Sequence, residues 1–403
     1  MPLRRHKHEG ITRINSKVAR DINRSIILAT VRRRQPISRS AIADLTRLNK
    51  STVSSIVARL LDEELLLESP DRGGGVGRKA VNLSLRQGKH FVGAISFDAP
   101  CTRVAVVDIN GTLKARDEIW TKVTSPESLV AQSVSRLNAL RATIGPHRFH
   151  GIGASVGGIV DANQSQVIYS ANLGWTHVDL AGLIRDQAPD GGSISVENDA
   201  KAAAQAELLW GTHQLTSTNM VFLLVGIGIG AGIAINGRIL SGESHAAGEV
   251  GHMTVVEGGE QCSCGNAGCW HLYVSEQALI KWFAETKKTV AGSASALSDV
   301  VDAARAGDQD ALNVLRLWAQ HLGVGIGDLI CILDPEVVIV GGPITQVWDL
   351  VSEEINKAAE GRGPLSGRPK AAVLPTSLLD NPPLLGAAAL AVRGIFADVT
   401  ISM

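Results

Sequence analysis

Near residue 90 the chain changes character so abruptly that a single continuous core is excluded. Before that point apolar residues recur at helical spacing among bases; after it, short apolar runs alternate with glycine-bearing turns among acids. Residues 1–90 hold 19 Lys and Arg against 8 Asp and Glu, a net +11, whereas residues 91–403 hold 20 against 31, a net −11. The formal net charge of zero conceals this division. A basic module on an acidic body is the pattern of a polyanion-binding head carried by a part that binds something else. A length of 403 residues suggests two or three domains, each with ample chain to bury an apolar face. No apolar run reaches the roughly 18 residues of a membrane span, and the basic N-terminus lacks the apolar stretch of a signal peptide. A soluble cytoplasmic protein with no membrane partner is therefore expected.

The head reads as three helices. From Ala19 to Arg34, Ile22, Ile26, Ile27 and Val31 keep helical spacing, and Pro36 disfavours helix in the residue before it. Ser38 is placed to cap a short second helix holding Ile42 and Leu45. After a turn around Arg47-Leu48-Asn49, a third helix is expected from near Ser51, with Val53, Ile56, Val57, Leu60 and Leu61 forming one apolar stripe. Lys50, Ser51, Thr52, Ser54, Ser55 and Arg59 fall outside that stripe. Short hydroxyl side chains flanked by bases suit a helix end inserted into a major groove.

Leu65 to Leu67 and the alternating Val81, Leu83 and Leu85 read as strands. They flank Asp71-Arg72-Gly73-Gly74-Gly75-Val76-Gly77-Arg78-Lys79, a glycine loop with a basic tip. Strand, loop and strand after a helix-turn-helix make a wing whose Arg78 and Lys79 reach for phosphates or a minor groove. The competing reading of the helices alone is a three-helix dimerisation module with solvated charges; the wing and the +11 charge weigh against it.

From Phe91 the sequence turns to strand, turn and strand. Phe91 to Phe97, Thr102 to Asp108 and Leu113 to Trp120 are expected strands, with Asn110-Gly111 as a hairpin signal. Strand and helix segments then alternate through Ser128 to Ala142, Gly151 to Val156, Ala200 to Trp210 and Phe222 to Ile227, which describes an α/β body. Of five cysteines, Cys262, Cys264 and Cys269 crowd into one glycine-turned segment, while Cys101 and Cys331 stand alone. In a reducing compartment such clustering points to metal rather than disulfides, the alternative being a group of buried free thiols.

The body also carries a series of glycine motifs: Gly151-Ile152-Gly153-Ala154-Ser155-Val156-Gly157-Gly158-Ile159-Val160-Asp161, Asn172-Leu173-Gly174-Trp175, Glu197-Asn198-Asp199-Ala200 and Gly228-Ile229-Gly230-Ala231-Gly232. Ala247-Gly248-Glu249-Val250-Gly251-His252, the cysteine cluster, Asp334-Pro335-Glu336-Val337-Val338-Ile339-Val340-Gly341-Gly342 and Leu385-Gly386-Ala387-Ala388-Ala389 complete it. In this order and over nearly the whole chain, the motifs resemble the ROK family, which groups bacterial repressors with sugar kinases. The resemblance implies an actin-like (ribonuclease H-like) α/β fold of two lobes. Residues 1–89 are then a winged helix-turn-helix DNA-binding domain. Residues 90–195 with 383–403 form the first lobe, and residues 196–382 form the second, with a zinc loop and oligomerisation helices. The head places the chain beside the family's xylose-, N-acetylglucosamine- and glucose-responsive repressors.

By family position His252 joins Cys262, Cys264 and Cys269 as the ligands of a structural Zn2+, a closed set of three thiolates and one imidazole that leaves no place for water. The resemblance likewise lines a sugar cleft with Asn198, Asp199, Glu249 and His252. In the kinases the aspartate at the position of Asp199 is the general base; here it is expected to be vestigial and to accept a hydrogen bond. Asn198 and Asp199 also suit a plain helix cap. Where the cysteine motif usually ends in a sugar-contacting glutamate, this chain has His271.

Of the two phosphate turns that the resemblance implies for the kinases, the first is lost here and the second is kept in part. At the first, Ser96-Phe97-Asp98-Ala99-Pro100 lacks both glycines, includes a proline without an N–H and adds a carboxylate, an arrangement that repels phosphate. At the second, Ile227 stands where a hydroxyl residue is usual, although Gly228, Gly230 and Gly232 remain. The expectation is a non-enzymatic, nucleoid-associated regulator: a homodimer or homotetramer on double-stranded operator DNA, repressing carbohydrate-utilisation genes until a sugar effector binds. A repressor answering to a protein partner and an ATP-dependent sugar kinase are the alternatives.

Overall fold

The computed structural model describes residues 16–70, 81–121, 125–213, 219–287, 296–360 and 371–396. Its described residues group by packing into two units. One comprises the chain up to His90 with Pro146–Arg148 and the residues from Val392; the other comprises Phe91–Gly145 and Phe149–Ala391.

The first unit opens with helix α1 (Ser16–Arg34), which stops before Pro36 as its ring requires. Strand β1 (Ile37–Ser38) and helix α2 (Arg39–Thr46) follow, and the Ala41 N–H donates to the Ser38 hydroxyl at 3.2 Å as the expected cap. Arg47 turns the chain in the left-handed region (φ 59°), and helix α3 (Lys50–Asp62) begins. Strands β2 (Leu66–Pro70) and β3 (Val81–Leu85) complete a three-stranded antiparallel sheet in the order β1-β3-β2. Strand β1 is absent from the sequence reading because two residues carry no period. Ile27, Leu28 and Val31 of α1 are buried together with Ile42, the stripe Val53, Ile56, Val57 and Leu60, and Leu66, Leu83 and Leu85. Each such side chain contributes about 1.5–3 kcal/mol by leaving water. Leu45, expected beside Ile42, is instead 60% exposed.

The second unit starts with a meander: β4 (His90–Phe97), β5 (Cys101–Asp108) and β6 (Leu113–Trp120), paired antiparallel. Helix α4 (Pro126–Ala142) leads to β7 (Arg148–Val156). A small sheet of β8 (Ile159–Val160), β9 (Val167–Ser170) and β10 (Trp175–Val178) comes next, then α5 (Leu180–Gln187) and β11 (Ser193–Asn198), which runs parallel to β7. Helix α6 (Asp199–Trp210) then leads into a second meander, β12 (Met220–Val225), β13 (Ile229–Ile235) and β14 (Arg238–Ile239). Four helices follow: α7 (His271–Val274), α8 (Glu276–Thr286), α9 (Leu297–Arg305) and the long α10 (Gln309–Leu333). Strand β15 (Val337–Gly341), α11 (Trp348–Glu360), β16 (Ala372–Pro375) and α12 (Pro382–Phe396) end the described chain.

The two large sheets have the same design. Their orders, β6-β5-β4-β7-β11 and β14-β13-β12-β15-β16, each set a three-strand meander beside two later strands that run parallel to one another. Helix α6 packs on the second sheet through alanines. A Cβ added at Gly232 would collide with Ala204 and the Ala200 carbonyl, so β13 approaches the helix as only glycine permits. That close packing fixes the N-terminus of α6, where Asp199 lies.

Candidate functional site

On the first unit, Asn49 caps α3. Its Oδ1 accepts from the Thr52 N–H at 2.7 Å and from the Ser51 hydroxyl at 2.8 Å, so the helix begins at Lys50, one residue earlier than expected. Lys50, Ser51, Ser54, Ser55 and Arg59 are exposed and Thr52 is half-buried, while Val53, Ile56, Val57 and Leu60 turn inward. One face of α3 is thus short, polar and basic, and open to solvent. Arg78 and Lys79 lie outside the described residues.

On the second unit, a short 3-10 turn (Val250–His252) and the segment up to Cys269 fold back on each other. Isolated bridges pair Thr254 with Cys269 and Gln261 with Ala267, and the Cys262 N–H donates to the Asn266 carbonyl at 2.8 Å. This tight turn converges four donors. His252, Cys262, Cys264 and Cys269 present ligand atoms that all lie within 4.8 Å of one another. Zn–S bonds of about 2.3 Å put tetrahedral sulfurs about 3.8 Å apart. The Cys264 and Cys269 sulfurs are 3.6 Å apart, and Cys262 Sγ is 3.8 Å from His252 Nδ1, so the set fits a tetrahedral zinc.

The protonation of the loop agrees with a cation site. Burial and the two neighbouring sulfurs push the Cys269 thiol up to about 12. Burial also acts against ionisation of Cys262, but the Cys264 N–H and His271 outweigh it and bring that thiol down to about 5. Three sulfurs this close cannot all ionise without a positive charge among them. With His252 Nδ1 turned towards the sulfurs, its Nε2 faces away from the loop.

His271, expected in the cleft, opens α7 with its Nε2 3.1 Å from Cys262 Sγ and its ring edge-on to His252, centroids 5.3 Å apart. The imidazole is engaged with the sulfur loop. Behind it, Trp270 is fully buried and its indole N–H donates to the His321 carbonyl at 2.9 Å, which ties the loop to α10.

The remaining cleft residues gather around the start of α6. Asn198 is the helix cap: its Oδ1 accepts from the Lys201 N–H at 3.0 Å and its amide donates to the Gly158 carbonyl at 3.0 Å. Asp199 accepts from the Ala200 N–H at 2.8 Å, and its Oδ2 lies beside Gly157, near the Asn172 amide. Burial, then the charges of Asp98 and Glu249, push the Asp199 carboxyl up to about 7. Glu249 is exposed just before the 3-10 turn. Burial also raises Asp98, against the lowering effect of the Ala99 N–H, Arg103 and the Asn172 side chain; burial and the charge of Asp98 raise Glu276. Asp98 and Asn172 therefore lie near Asp199, and Glu276 lies near Asp98.

In each of the β4–β5 and β12–β13 turns a backbone N–H already has a partner within the turn. Between β4 and β5 only Asp98-Ala99-Pro100 remain, and the Ala99 N–H is taken by the Asp98 carboxylate at 2.8 Å. At the β12–β13 turn the Gly226 N–H donates to the Gly228 carbonyl at 2.9 Å. What this arrangement offers is a set of carboxylates and an amide for pairing with hydroxyls.

Comparison with known proteins places these observations in a family. The ROK family matches residues 93–393. The xylose repressor of Bacillus spizizenii is 30% identical over 383 residues, covering 94% of this chain and 96% of that protein. A glucokinase of Streptomyces coelicolor is 32% identical over 314 residues, 74% of this chain and 96% of that one. Among solved structures, a ROK family transcriptional regulator described as a homolog of the Escherichia coli MLC protein superposes with a TM-score of 0.79 at 23% identity, covering 94% of this chain and 97% of its own. The repeated mixed sheets, the helices and the motif series are those of an actin-like, kinase-type body, and the chain belongs to the ROK family.

Proposed function

We propose that this protein is a sugar-responsive transcriptional repressor: a winged helix-turn-helix head that binds operator DNA, on a ROK body that senses a carbohydrate. The observation that carries this reading is the union in one chain of the exposed face of α3 with a kinase-like body whose first phosphate turn is reduced to Asp98-Ala99-Pro100. The similarity to a xylose repressor along 94% of the chain, head included, supports it. Lys50 and Arg59, with Arg78 and Lys79 of the wing, bind phosphates, and Ser51, Thr52, Ser54 and Ser55 face base edges. A homodimer or homotetramer presents two heads to a two-fold repeated operator.

The zinc is structural. His252, Cys262, Cys264 and Cys269 hold it, and when bound it supplies the positive charge that lets the thiols ionise together. His252 is thereby fixed, so that Nε2 has one direction in which to meet a sugar hydroxyl. Asp199 and Glu249 accept from neighbouring hydroxyls, with Asn172 beside them. The effector acts by binding one arrangement of the protein better than the other, since equal affinity shifts nothing.

Fluorescence anisotropy with DNA from upstream of the protein's own gene tests this, at fixed salt and with a panel of free and phosphorylated sugars. Loss of operator affinity with a free sugar is the expected result. Operator binding unmoved by every sugar would transfer control to a protein partner, the reading that the diversion of His271 to Cys262 favours. The kinase reading is favoured by the Asp199 carboxyl at about 7, which suits a general base near neutral pH. Sugar-dependent ADP release abolished by Asp199→Asn would establish it over the reading proposed.

A further inference from the structure

A lysine in an alanine-rich helix is ordinarily a solvated residue, but Lys201 is 4% exposed. It lies two residues after Asp199 on α6, among Ala200, Ala202, Ala203 and Ala204, all fully buried. A desolvated ammonium persists only where oxygens face it. Here Nζ donates to the carbonyl of His245 at 2.6 Å, and the carboxylates of Glu197 and Glu249 offset the burial that depresses its proton affinity. His245 belongs to the loop Ser241–Gly248, which leads directly into Glu249 and the 3-10 turn bearing His252.

The loop is anchored at its ends by backbone bonds to the second sheet. The Leu240 N–H donates to Ile233, and the Ala231 N–H donates to the Gly248 carbonyl, both at 2.8 Å. Gly248 adopts φ +99° with the Ala231 carbonyl where a Cβ would project, so the exit of the loop is held close to β13. Between the anchors the loop bonds mainly to itself, His245 to Gly242 and Ala247 to Ser241, and Gly242, Glu243 and Ser244 are exposed. Among the described residues, Lys201 is the one side chain from elsewhere in the chain that hydrogen-bonds to residues 241–247.

We propose that Lys201 is a positioning residue that latches the loop Ser241–Gly248 onto α6 and so sets Glu249 beside Asp199. This rests on the reading of Asp199 and Glu249 as effector groups, and it gives that cleft its preset geometry. One ammonium on the helix that begins with Asp199 holds the segment that ends at Glu249, so the two acceptors keep their spacing before any sugar arrives. Releasing the latch frees the Glu249 side of the cleft and leaves the Asp199 side in place.

Hydrogen exchange of the full-length, zinc-bound protein, read by mass spectrometry without sugar, tests the latch. In Lys201→Met, amides of residues 241–249 should exchange about tenfold or more faster than wild type, while those of β13 and α3 keep their rates. Lys201→Arg should restore protection to within twofold. Exchange at 241–249 within twofold of wild type in Lys201→Met overturns the proposal. So does an equal acceleration in the Arg and Met variants, which would report loosened packing rather than a lost charged bond. If Lys201→Met does not fold, Lys201→Gln, uncharged and too short to span the gap, is read by the same thresholds. Protection of the wild-type loop by d-xylose or d-glucose is measured separately; its absence counts against the sugar reading and leaves the latch result standing.

Discussion

Replacing Asp199 by Asn should remove a destabilisation that grows as pH rises. Burial and the charges of Asp98 and Glu249 raise the native carboxyl from its ordinary 3.8 to about 7. Between those values the native state holds a proton that the unfolded chain has released, so wild-type stability falls with rising pH across that window and levels off above it. Fully expressed, above pH 8, the displacement corresponds to about 4 kcal/mol. Between pH 6 and pH 8 the native carboxyl passes from about nine-tenths to about one-tenth protonated, which alone amounts to about 1.4 kcal/mol. Asparagine mimics the protonated acid in shape, can still accept from the Ala200 N–H and does not titrate. Urea unfolding of wild type and Asp199→Asn at pH 6 and pH 8, both in excess zinc, should therefore show the variant's advantage increasing by about 1.4 kcal/mol at the higher pH. The zinc ligands are common to both proteins and cancel in the difference. A stability difference that stays constant between the two pH values would refute the reasoning and mean that Asp199 does not change protonation between them.

Three further perturbations separate the parts of the molecule. His271→Ala removes the nitrogen 3.1 Å from Cys262 Sγ and should weaken zinc binding about 10- to 100-fold in a chelator competition, with Ser, Thr and Lys substitutions on α3 leaving it unchanged. Leu60→Ala opens a cavity under α3 and should destabilise the first unit by about 2–5 kcal/mol, seen as an earlier unfolding transition while zinc content holds. Lys50→Ala should weaken operator and non-operator DNA alike and lower the slope of log affinity against log salt by about 1 in anisotropy titrations.

The parts of this chain that were legible in its sequence are those in which a local period or spacing determines the outcome. Val53, Ile56, Val57 and Leu60 repeat at the interval that brings them to one side of a helix, and that side is buried. Cys262, Cys264 and Cys269 are close enough along the chain that a glycine turn alone can gather their sulfurs. Leu45 shows where period ceases to be sufficient: its spacing from Ile42 suits the core, yet it lies in the last turn of α2 and stays exposed. Helix α3 begins at Lys50, one residue before Ser51, for a simpler reason, because the Asn49 side chain caps it.

The site was legible in its members but not in its orientation. Asp98, Asp199, Glu249 and Glu276 come from four separate stretches, and their mutual influence exists only because the β4–β5 turn, the start of α6, the 3-10 turn and the start of α8 meet. Asp98 was readable as an obstacle to phosphate; its effect on Asp199 required the fold. His271 could be seen to replace a glutamate, but whether its imidazole addresses a sugar or a sulfur depends on the first turn of α7, and there it meets Cys262. Lys201 was the least legible, since nothing in its neighbours along the chain marks it as buried. With only Asp98-Ala99-Pro100 between β4 and β5, the protein itself sets a carboxyl group near Asp199. A cleft arranged in this way can still pair with hydroxyls, but an anion entering it meets carboxylates where a kinase offers N–H groups. The effector that suits it is therefore uncharged, and a free sugar should outcompete its phosphate ester at this site.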